Sequence, residues 1–163
     1  MKTRSDQLRE RYRLQAHPEG GWFAEVYTSA FAADGRPLAG SIFFLLDTGE
    51  ISRFHQIDCE EIWYYHEGCG MVITVLSETG LSAYRLGNDT QRGERPMVMI
   101  PAGAVFAAEN TDPDGYTFVS CATSPKFHYD GFRLIGMDEI KEKWPEIAPD
   151  VLYLAGQSED PEM

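Results

Sequence analysis

The chain has 163 residues, of which 43% are hydrophobic, so it is long and apolar enough for one folded domain rather than a disordered chain. Its formal net charge of −12 disfavours binding to nucleic acid or to an anionic membrane surface, because both require a basic footprint. Three cysteines without a framework spacing predict reduced thiols and a cytoplasmic location, and the polar start of the chain lacks the apolar core of a secretion signal.

The predicted elements are short strands between two terminal helices. The first helix spans residues 3–13 with Ser5 or Asp6 as its cap, the second spans residues 137–146, and residues 156–163 form a polar tail that we expect to fray. The predicted strands cover residues 22–29, 41–46, 51–56, 61–65, 71–76, 81–86, 96–100, 105–108, 116–122 and 132–135. Short strands at this spacing favour a single all-β sandwich or barrel whose core covers about residues 14–135.

The stretch from Gly49 to Gly68 concentrates polar and aromatic side chains. Alternation along residues 51–56 predicts that the odd-numbered residues, including His55, share one strand face and that the even-numbered residues, including Ser52, share the other. A turn at residues 58–60 then leads to a second strand. If the two strands pair as a hairpin, His55 and Glu61 face the same interior, where they suit metal binding, proton transfer or polar-ligand binding.

The spacing in this stretch resembles the first cupin motif, in which a glycine, two histidines, a glutamate and a second glycine follow at set intervals. The matching residues are Gly49, His55, Glu61 and Gly68, whereas Ile57 stands at the second histidine position. A second cupin motif is matched by Pro101, Gly103 and Asn110, with Phe106 at its histidine position and its leading glycine displaced to Gly93.

Three further phrases complete the resemblance: HPEGGWFAEVY at residues 17–27, EIW at 61–63 and SPKFHYDGF at 124–132. Together with the two motifs they make the chain similar, from about residue 14 to 134, to the cupin-5 family of the RmlC-like cupins, formerly a domain of unknown function. The resemblance implies an all-β, double-stranded β-helix (the cupin jelly roll) with a short helix at each end, and a homodimer.

The same resemblance indicates which cofactors to expect. A cupin metal site uses three histidines and one glutamate, and only His55 and Glu61 stand at matching positions. Because Ile57 and Phe106 have no lone pair to donate, we expect neither a metal ion nor another cofactor. His66 lies five residues after Glu61, so a regular strand points it to the opposite face unless a bulge intervenes.

We therefore predict a metal-independent protein that binds a small carbohydrate-type or other polar ligand, with isomerase or epimerase chemistry as the enzymatic interpretation. In the metal-free epimerases of this fold a histidine base works with a tyrosine acid, for which His55 and Tyr27, Tyr65 or Tyr116 are candidates. His55 and Glu61 also fit two buried groups that satisfy each other without reacting. The alternatives are a metal-dependent cupin dioxygenase or isomerase and a non-catalytic sensor or structural dimer module.

The other candidate ligand-binding residues lie on a strand face shared with Glu61, on one face of the strand at 22–29, or beside the missing histidine. They are Glu25, Tyr27, Trp63, Tyr65, Phe106 and Asn110. Core packing is the alternative for the aromatic residues, solvent exposure for Glu25 and turn capping for Asn110. Cys121 lies in an apolar strand, which favours an inert buried thiol.

Overall fold

The computed structural model describes residues 1–156, in which strands dominate. The helices are α1 (Arg4–Tyr12), α2 (Met137–Lys143) and α3 (Ala148–Val151). The strands are β1 (Gln15–Ala16), β2 (Trp22–Thr28), β3 (Ala32–Ala33), β4 (Arg36–Pro37), β5 (Gly40–Leu46), β6 (Ile51–Gln56), β7 (Glu60–Gly68), β8 (Met71–Ser77), β9 (Gly80–Leu86), β10 (Met97–Ile100), β11 (Val105–Asn110), β12 (Thr117–Ser124) and β13 (Arg133–Leu134). All but the first residue of the predicted polar tail lies outside the described residues.

The strands form two large antiparallel sheets and a two-stranded sheet of β3 and β4. The six-stranded sheet has the order β1-β2-β5-β12-β7-β10, and the five-stranded sheet has the order β13-β6-β11-β8-β9. Between the two sheets lies the largest buried cluster, to which the first contributes Phe44 and Trp63 and the second Ile73 and Phe106. This is a double-stranded β-helix jelly roll, which confirms the predicted fold class.

Helix α1 covers part of the outer face of the six-stranded sheet. Thr3 is its N-cap: the Thr3 hydroxyl accepts from the Asp6 N–H, and the Asp6 carboxylate accepts from the Thr3 N–H. The predicted cap at Ser5 or Asp6 is therefore wrong, since the helix begins earlier and Asp6 completes the capping box. Leu8 lies on the buried side of α1 and packs in a cluster with Phe118.

The C-terminal segment covers the outer face of the five-stranded sheet. Ile140 and Val151 pack there in a cluster with Phe54 of β6. Helix α2 ends at Lys143, before the predicted end at residue 146, because Pro145 disfavours helical angles at the residue that precedes it. Within residues 1–156, none of the helices has the length and apolar character to cross a membrane.

Strands β6 and β7, which carry His55 and Glu61, do not pair with each other. Strand β6 pairs with β11 and β13, whereas β7 pairs with β12 and β10 in the opposite sheet. The predicted hairpin is therefore wrong. His55 and Glu61 still both face the interior, with 3% and 8% of their surface exposed, because the inner faces of the two sheets meet there.

A β-bulge in β6 changes which of its residues share a face. Ser52 pairs with Ala108 and His55 with Phe106, so two residues of β6 oppose a single residue of β11. The extra residue turns Ser52 and His55 to the same interior face, while Phe54 points to the outer cluster. Strict alternation, which predicts opposite faces for Ser52 and His55, is wrong for this strand.

Candidate functional site

A cavity of about 60 Å³ opens from the interior between the sheets. Strands β2, β5, β6, β7 and β12 supply its walls, with the segments at residues 17–19 and 126–129 at its edges. Most of the lining surface is apolar, and its aromatic and aliphatic side chains include Phe23, Phe44, Trp63, Phe127, Ile42 and Ile57. A few polar groups in apolar walls are typical of a small-molecule site.

The loop at residues 17–21 brings Glu19 into this cavity. Its backbone is tied to β6, because the Arg53 N–H donates to the Glu19 carbonyl at 2.8 Å. Gly20 has φ +114°, and a Cβ at that position would lie 2.0 Å from the Ile51 carbonyl oxygen. Only glycine therefore lets the loop approach the strand this closely.

His55 forms an ion pair with Glu19. The His55 Nε2 lies 2.8 Å from a Glu19 oxygen, and the His55 Nδ1 lies 2.8 Å from the Arg53 carbonyl oxygen. A carbonyl and a carboxylate can only accept, so both ring nitrogens carry protons and the ring is cationic. The Ser52 hydroxyl donates to the second Glu19 oxygen at 3.0 Å.

The pKa values of the pair agree with this assignment. Burial opposes charge on His55, but the negative charge of Glu19 and its hydrogen bond raise the His55 pKa on balance. Burial likewise opposes charge on Glu19, but the positive charge of His55 and hydrogen bonds from His55 and Ser52 lower the Glu19 pKa. The predicted His55–Glu61 pair is therefore replaced by a His55–Glu19 pair.

The Glu61 carboxyl group lies in the same cavity. Within residues 1–156 it has no ion-pair partner. Burial, and then the negative charge of Glu19, raise its pKa to about 7, while His55 and the nearby Trp63 indole partly offset the rise. Near neutral pH the group therefore exchanges readily between acid and carboxylate, which is the property required of a general acid–base group.

His17 is a neutral imidazole at the edge of the cavity. Its Nδ1 accepts from the Glu19 N–H at 3.2 Å, so the ring proton lies on Nε2. Burial lowers the His17 pKa, and the positive charge of His55 adds to this effect against the opposing charge of Glu19. Within residues 1–156, Nε2 has no hydrogen-bond partner.

Trp63 presents a second unpaired donor. The side chain is 1% exposed and lines the cavity. Its Nε1 makes no hydrogen bond of good geometry within residues 1–156, and its interaction with the Glu61 carboxyl is the smallest of the effects on the Glu61 pKa. Leaving a buried N–H unsatisfied costs about 1–3 kcal/mol, so such a group requires an explanation.

The mouth of the cavity holds other predicted residues. Glu25 and Tyr27 both line it, as their shared strand face predicts. More than half of the Glu25 side chain and more than half of the Tyr27 residue surface are exposed. Lys126 Nζ lies 3.6 Å from a Glu25 oxygen and accompanies Tyr129 at the rim. The sequence pattern predicted no role for Lys126 or Tyr129, although both lie within the phrase SPKFHYDGF.

Three predicted ligand-binding residues lie outside the cavity lining, which corrects their assignment. The Tyr65 hydroxyl donates to the Gly68 carbonyl at 2.6 Å. Phe106 is fully buried beneath His55, with 4.2 Å between ring centroids. Asn110 donates to main-chain carbonyls that include Leu46, so it ties together the ends of strands instead of binding a ligand.

Other candidates also lie elsewhere. His66 hydrogen-bonds to Ser120 and contacts Phe118 on the outer face, under α1, which confirms its expected orientation. Tyr116 packs in the same outer cluster and so cannot serve as the acid in the cavity. Cys121 is buried in the cavity wall, where burial raises the pKa of its thiol, as expected for an unreactive cysteine.

The residues present do not fit a cupin metal centre. Ile57 contributes hydrocarbon to the lining, and Phe106 fills the position beneath His55. Glu19, which the motif does not include, already accepts hydrogen bonds from His55 and Ser52. Among residues 1–156 no group of three or more histidine, cysteine or acidic side chains is arranged to hold a metal ion. That the protein works without a metal ion stays a prediction, which elemental analysis tests.

Comparison with known proteins supports the architecture over nearly the whole chain. A crystal structure of a Shewanella oneidensis protein is 34% identical, covers 96% of this chain and all of its own, and superposes with a TM-score of 0.90. An uncharacterized protein of Saccharomyces cerevisiae is 26% identical over 91% of this chain and 85% of its own length. A variant of the Bacillus subtilis oxalate decarboxylase shares the fold alone: the match covers 88% of this chain and 38% of that one, at 16% identity and a TM-score of 0.56.

The family assignment rests on the match between residues 6–135 and the family model described as "Cupin superfamily (DUF985)". The matched segment contains all the polar cavity residues described above, from His17 to Tyr129. The chain therefore belongs to this cupin family.

Proposed function

We propose that the cavity binds a small polar ligand and transfers a proton on it without a metal ion, as an isomerase does. The observation that carries the proposal is Glu61, a buried carboxyl with a pKa of about 7 that forms no ion pair with any cation of residues 1–156. A carboxyl kept in this state is suited to both removing and returning a proton near neutral pH.

His55 is less suited to be the base than its position in the motif suggests. A general base needs a free lone pair, and both nitrogens of His55 donate to acceptors. We propose that His55 instead holds Glu19 in place. Burial raises the pKa of Glu61 most, the charge of Glu19 adds to the rise and the charge of His55 opposes it, so the pair adjusts the acid strength of the catalytic group.

A 1,2-proton shift on an α-hydroxy carbonyl compound is a reaction that one carboxyl group can carry out. The Glu61 carboxylate removes the proton from the carbon beside the carbonyl, and the electron pair of that C–H bond moves to form an enediol(ate). A hydroxyl proton passes between the two oxygens. The Glu61 acid then returns its proton to the former carbonyl carbon, so atoms and electrons balance without a cofactor. A small carbohydrate-type ligand has this chemistry.

The test is exchange of carbon-bound hydrogen in D₂O, followed by ¹H NMR with dihydroxyacetone and glyceraldehyde near neutral pH. The protein is expected to accelerate exchange at the carbon beside the carbonyl. Glu61→Gln should slow that exchange by at least about 100-fold, the lower end of what general-base catalysis contributes. Glu60→Gln, an exposed change on the same strand, is the matched control and should leave the rate unchanged.

Three outcomes would count against the proposal. Exchange that survives in Glu61→Gln would exclude Glu61 as the base. Stoichiometric iron, manganese, nickel or zinc in the purified protein would favour the metal-dependent alternative. Saturable thermal stabilisation by these compounds without any exchange would identify a non-catalytic binding module instead.

A further inference from the structure

We infer that the indole N–H of Trp63 and the imidazole N–H of His17 bind an sp² oxygen of the ligand, so the cavity selects small carbonyl or carboxyl compounds. The inference deepens the proposed function and rests on the same cavity, but it concerns recognition and not proton transfer. Both residues line the cavity. Within residues 1–156 the buried Trp63 N–H has no acceptor in good hydrogen-bond geometry, although its interaction with the Glu61 carboxyl lowers the Glu61 pKa, and the His17 Nε2–H makes no hydrogen bond.

The contrast among the three tryptophans supports the role of Trp63. Trp22 Nε1 donates to a Glu50 oxygen at 2.9 Å, and Trp144 Nε1 donates to the Ser77 carbonyl at 2.9 Å. These two side chains are partly buried, and each has its acceptor. Trp63 is the most deeply buried of the three and lacks an acceptor in good hydrogen-bond geometry within residues 1–156. The Trp63 indole N–H, which has the least access to bulk water of the three, is therefore the one without a well-placed acceptor in the cavity wall.

The role of His17 follows from its tautomer. Its Nδ1 is occupied as the acceptor of the Glu19 N–H, so Nε2 must carry the proton. The ring is held in place by this bond and by edge contact with Phe23, at 4.7 Å between centroids. The Nε2–H is thus a fixed, neutral donor at the edge of the cavity.

The charges around these donors favour an oxygen acceptor of low or single negative charge. Glu19 forms an ion pair with His55, and Glu25 forms one with Lys126 at the mouth, whereas Glu61 is a cavity carboxyl outside both of these pairs. Uncharged N–H groups bind a carbonyl oxygen without the desolvation cost of a second buried ion. A carboxylate can also bind if Glu61 is protonated and donates to it.

The experiment is a titration of the ¹⁵N-tryptophan-labelled protein, followed through its three indole N–H resonances. Trp63→Phe assigns the Trp63 resonance by its disappearance. Dihydroxyacetone provides a neutral carbonyl and pyruvate an anionic carboxylate, while glycerol has hydroxyls but no sp² oxygen. At least one of the first two probes is expected to move the Trp63 resonance downfield in a saturable manner. The Trp22 and Trp144 resonances should stay in place, as internal controls.

Two results would overturn the inference. One is a Trp63 resonance that neither carbonyl probe moves at about 10 mM, well above a millimolar dissociation constant. The other is an equal shift with glycerol, which would show that the site does not select sp² oxygen. The titration itself uses the unaltered protein, and only the assignment of the Trp63 resonance uses a variant.

A matched pair of substitutions separates the two nitrogens of His17. His17→Asn keeps an acceptor near Nδ1 for the Glu19 N–H but removes the Nε2 donor, whereas His17→Gln keeps a donor near Nε2 and removes that acceptor. We expect about tenfold weaker probe binding in His17→Asn, the effect of one hydrogen bond, and less than about threefold in His17→Gln. Unchanged binding in His17→Asn would exclude His17 as a ligand donor.

The outcomes also distinguish this inference from the proposed function. A Trp63 shift without hydrogen exchange would support the recognition site and reject the proton transfer. Exchange that depends on Glu61 without any Trp63 shift would support the proton transfer and reject the recognition site.

Discussion

At the scale of single residues, the cavity contains two carboxyl groups whose different surroundings shift their pKa values in opposite directions. Glu19 is held as a carboxylate by His55 and Ser52, whereas Glu61 has burial and a neighbouring negative charge to disfavour its ionised form. The motif spacing could identify His55 and Glu61. It could not identify Glu19, because that contact depends on a loop folding back onto a bulged strand.

The raised pKa of Glu61 predicts a pH-dependent difference in stability. Between its ordinary pKa of 4.5 and its folded value of about 7, the folded state binds the proton more tightly than the unfolded state, so stability is lost as pH rises through this window. Glu61→Gln removes that loss. Relative to wild type, it should gain up to about 3 kcal/mol in free energy of unfolding between pH 4.5 and pH 8.

Urea unfolding across this pH range measures the difference between the two proteins. Glu60→Gln is the control for charge removal at an exposed position. Its free energy of unfolding should differ from that of wild type by the same amount at every pH. A difference between Glu61→Gln and wild type that is constant with pH would show that Glu61 titrates normally.

At the scale of elements, the placement of the site depends on one loop and one bulge. Alternation correctly predicts that Phe23, Glu25 and Tyr27 share a face of β2, and that Glu61 and Trp63 share a face of β7. It fails in β6 because a bulge is set by the pairing with β11, and the local sequence pattern does not reveal that pairing. The same limit applies to the predicted hairpin, since adjacent strands in sequence can belong to different sheets.

Gly20 is the position at which the loop can be tested. Gly20→Ala places a methyl group 2.0 Å from the Ile51 carbonyl oxygen and forces alanine to a positive φ, so we expect a loss of about 3 kcal/mol or more in free energy of unfolding. Gly35→Ala is the matched control, because Gly35 has φ +79° but no atom within 4 Å of its Cβ position. It should cost only about 1–2 kcal/mol.

Thermal or urea unfolding of both variants provides the comparison. Equal losses would mean that the loop moves away from β6 without penalty, in which case the close approach does not hold Glu19 in the cavity.

At the scale of the whole molecule, part of the outer face of the six-stranded sheet is left uncovered by α1. On edge strand β10, Met97 and Met99 are 47% and 45% exposed, and Met97 pairs across the strands with Tyr64, which is 39% exposed. Neighbouring exposed apolar residues on an edge strand are a risk for uncontrolled association. We propose that a second copy of the chain covers this face, in agreement with the homodimer implied by the family resemblance.

Light scattering coupled to size-exclusion chromatography tests the dimer. The protein is expected to elute with twice the mass of the chain, and the double change Met97→Lys with Met99→Lys should give a monomer, because two charges in an apolar interface are costly. Leu81→Lys, on a strand of the other sheet and 48% exposed, should leave the dimer intact. A monomeric wild-type protein, or a double variant that remains dimeric, would contradict this arrangement.

The location of His55 and Glu61 on opposite sheets has a further consequence. The gap between the two walls of the sandwich determines how strongly the charges on one wall influence the carboxyl on the other, and packed hydrocarbon such as Phe44, Ile73 and Phe106 fixes that gap. Changes in the volume of these side chains therefore adjust the acidity of Glu61 without altering any polar group. Selection on the interior packing of this protein therefore acts at the same time on the pH at which the Glu61 carboxyl loses its proton.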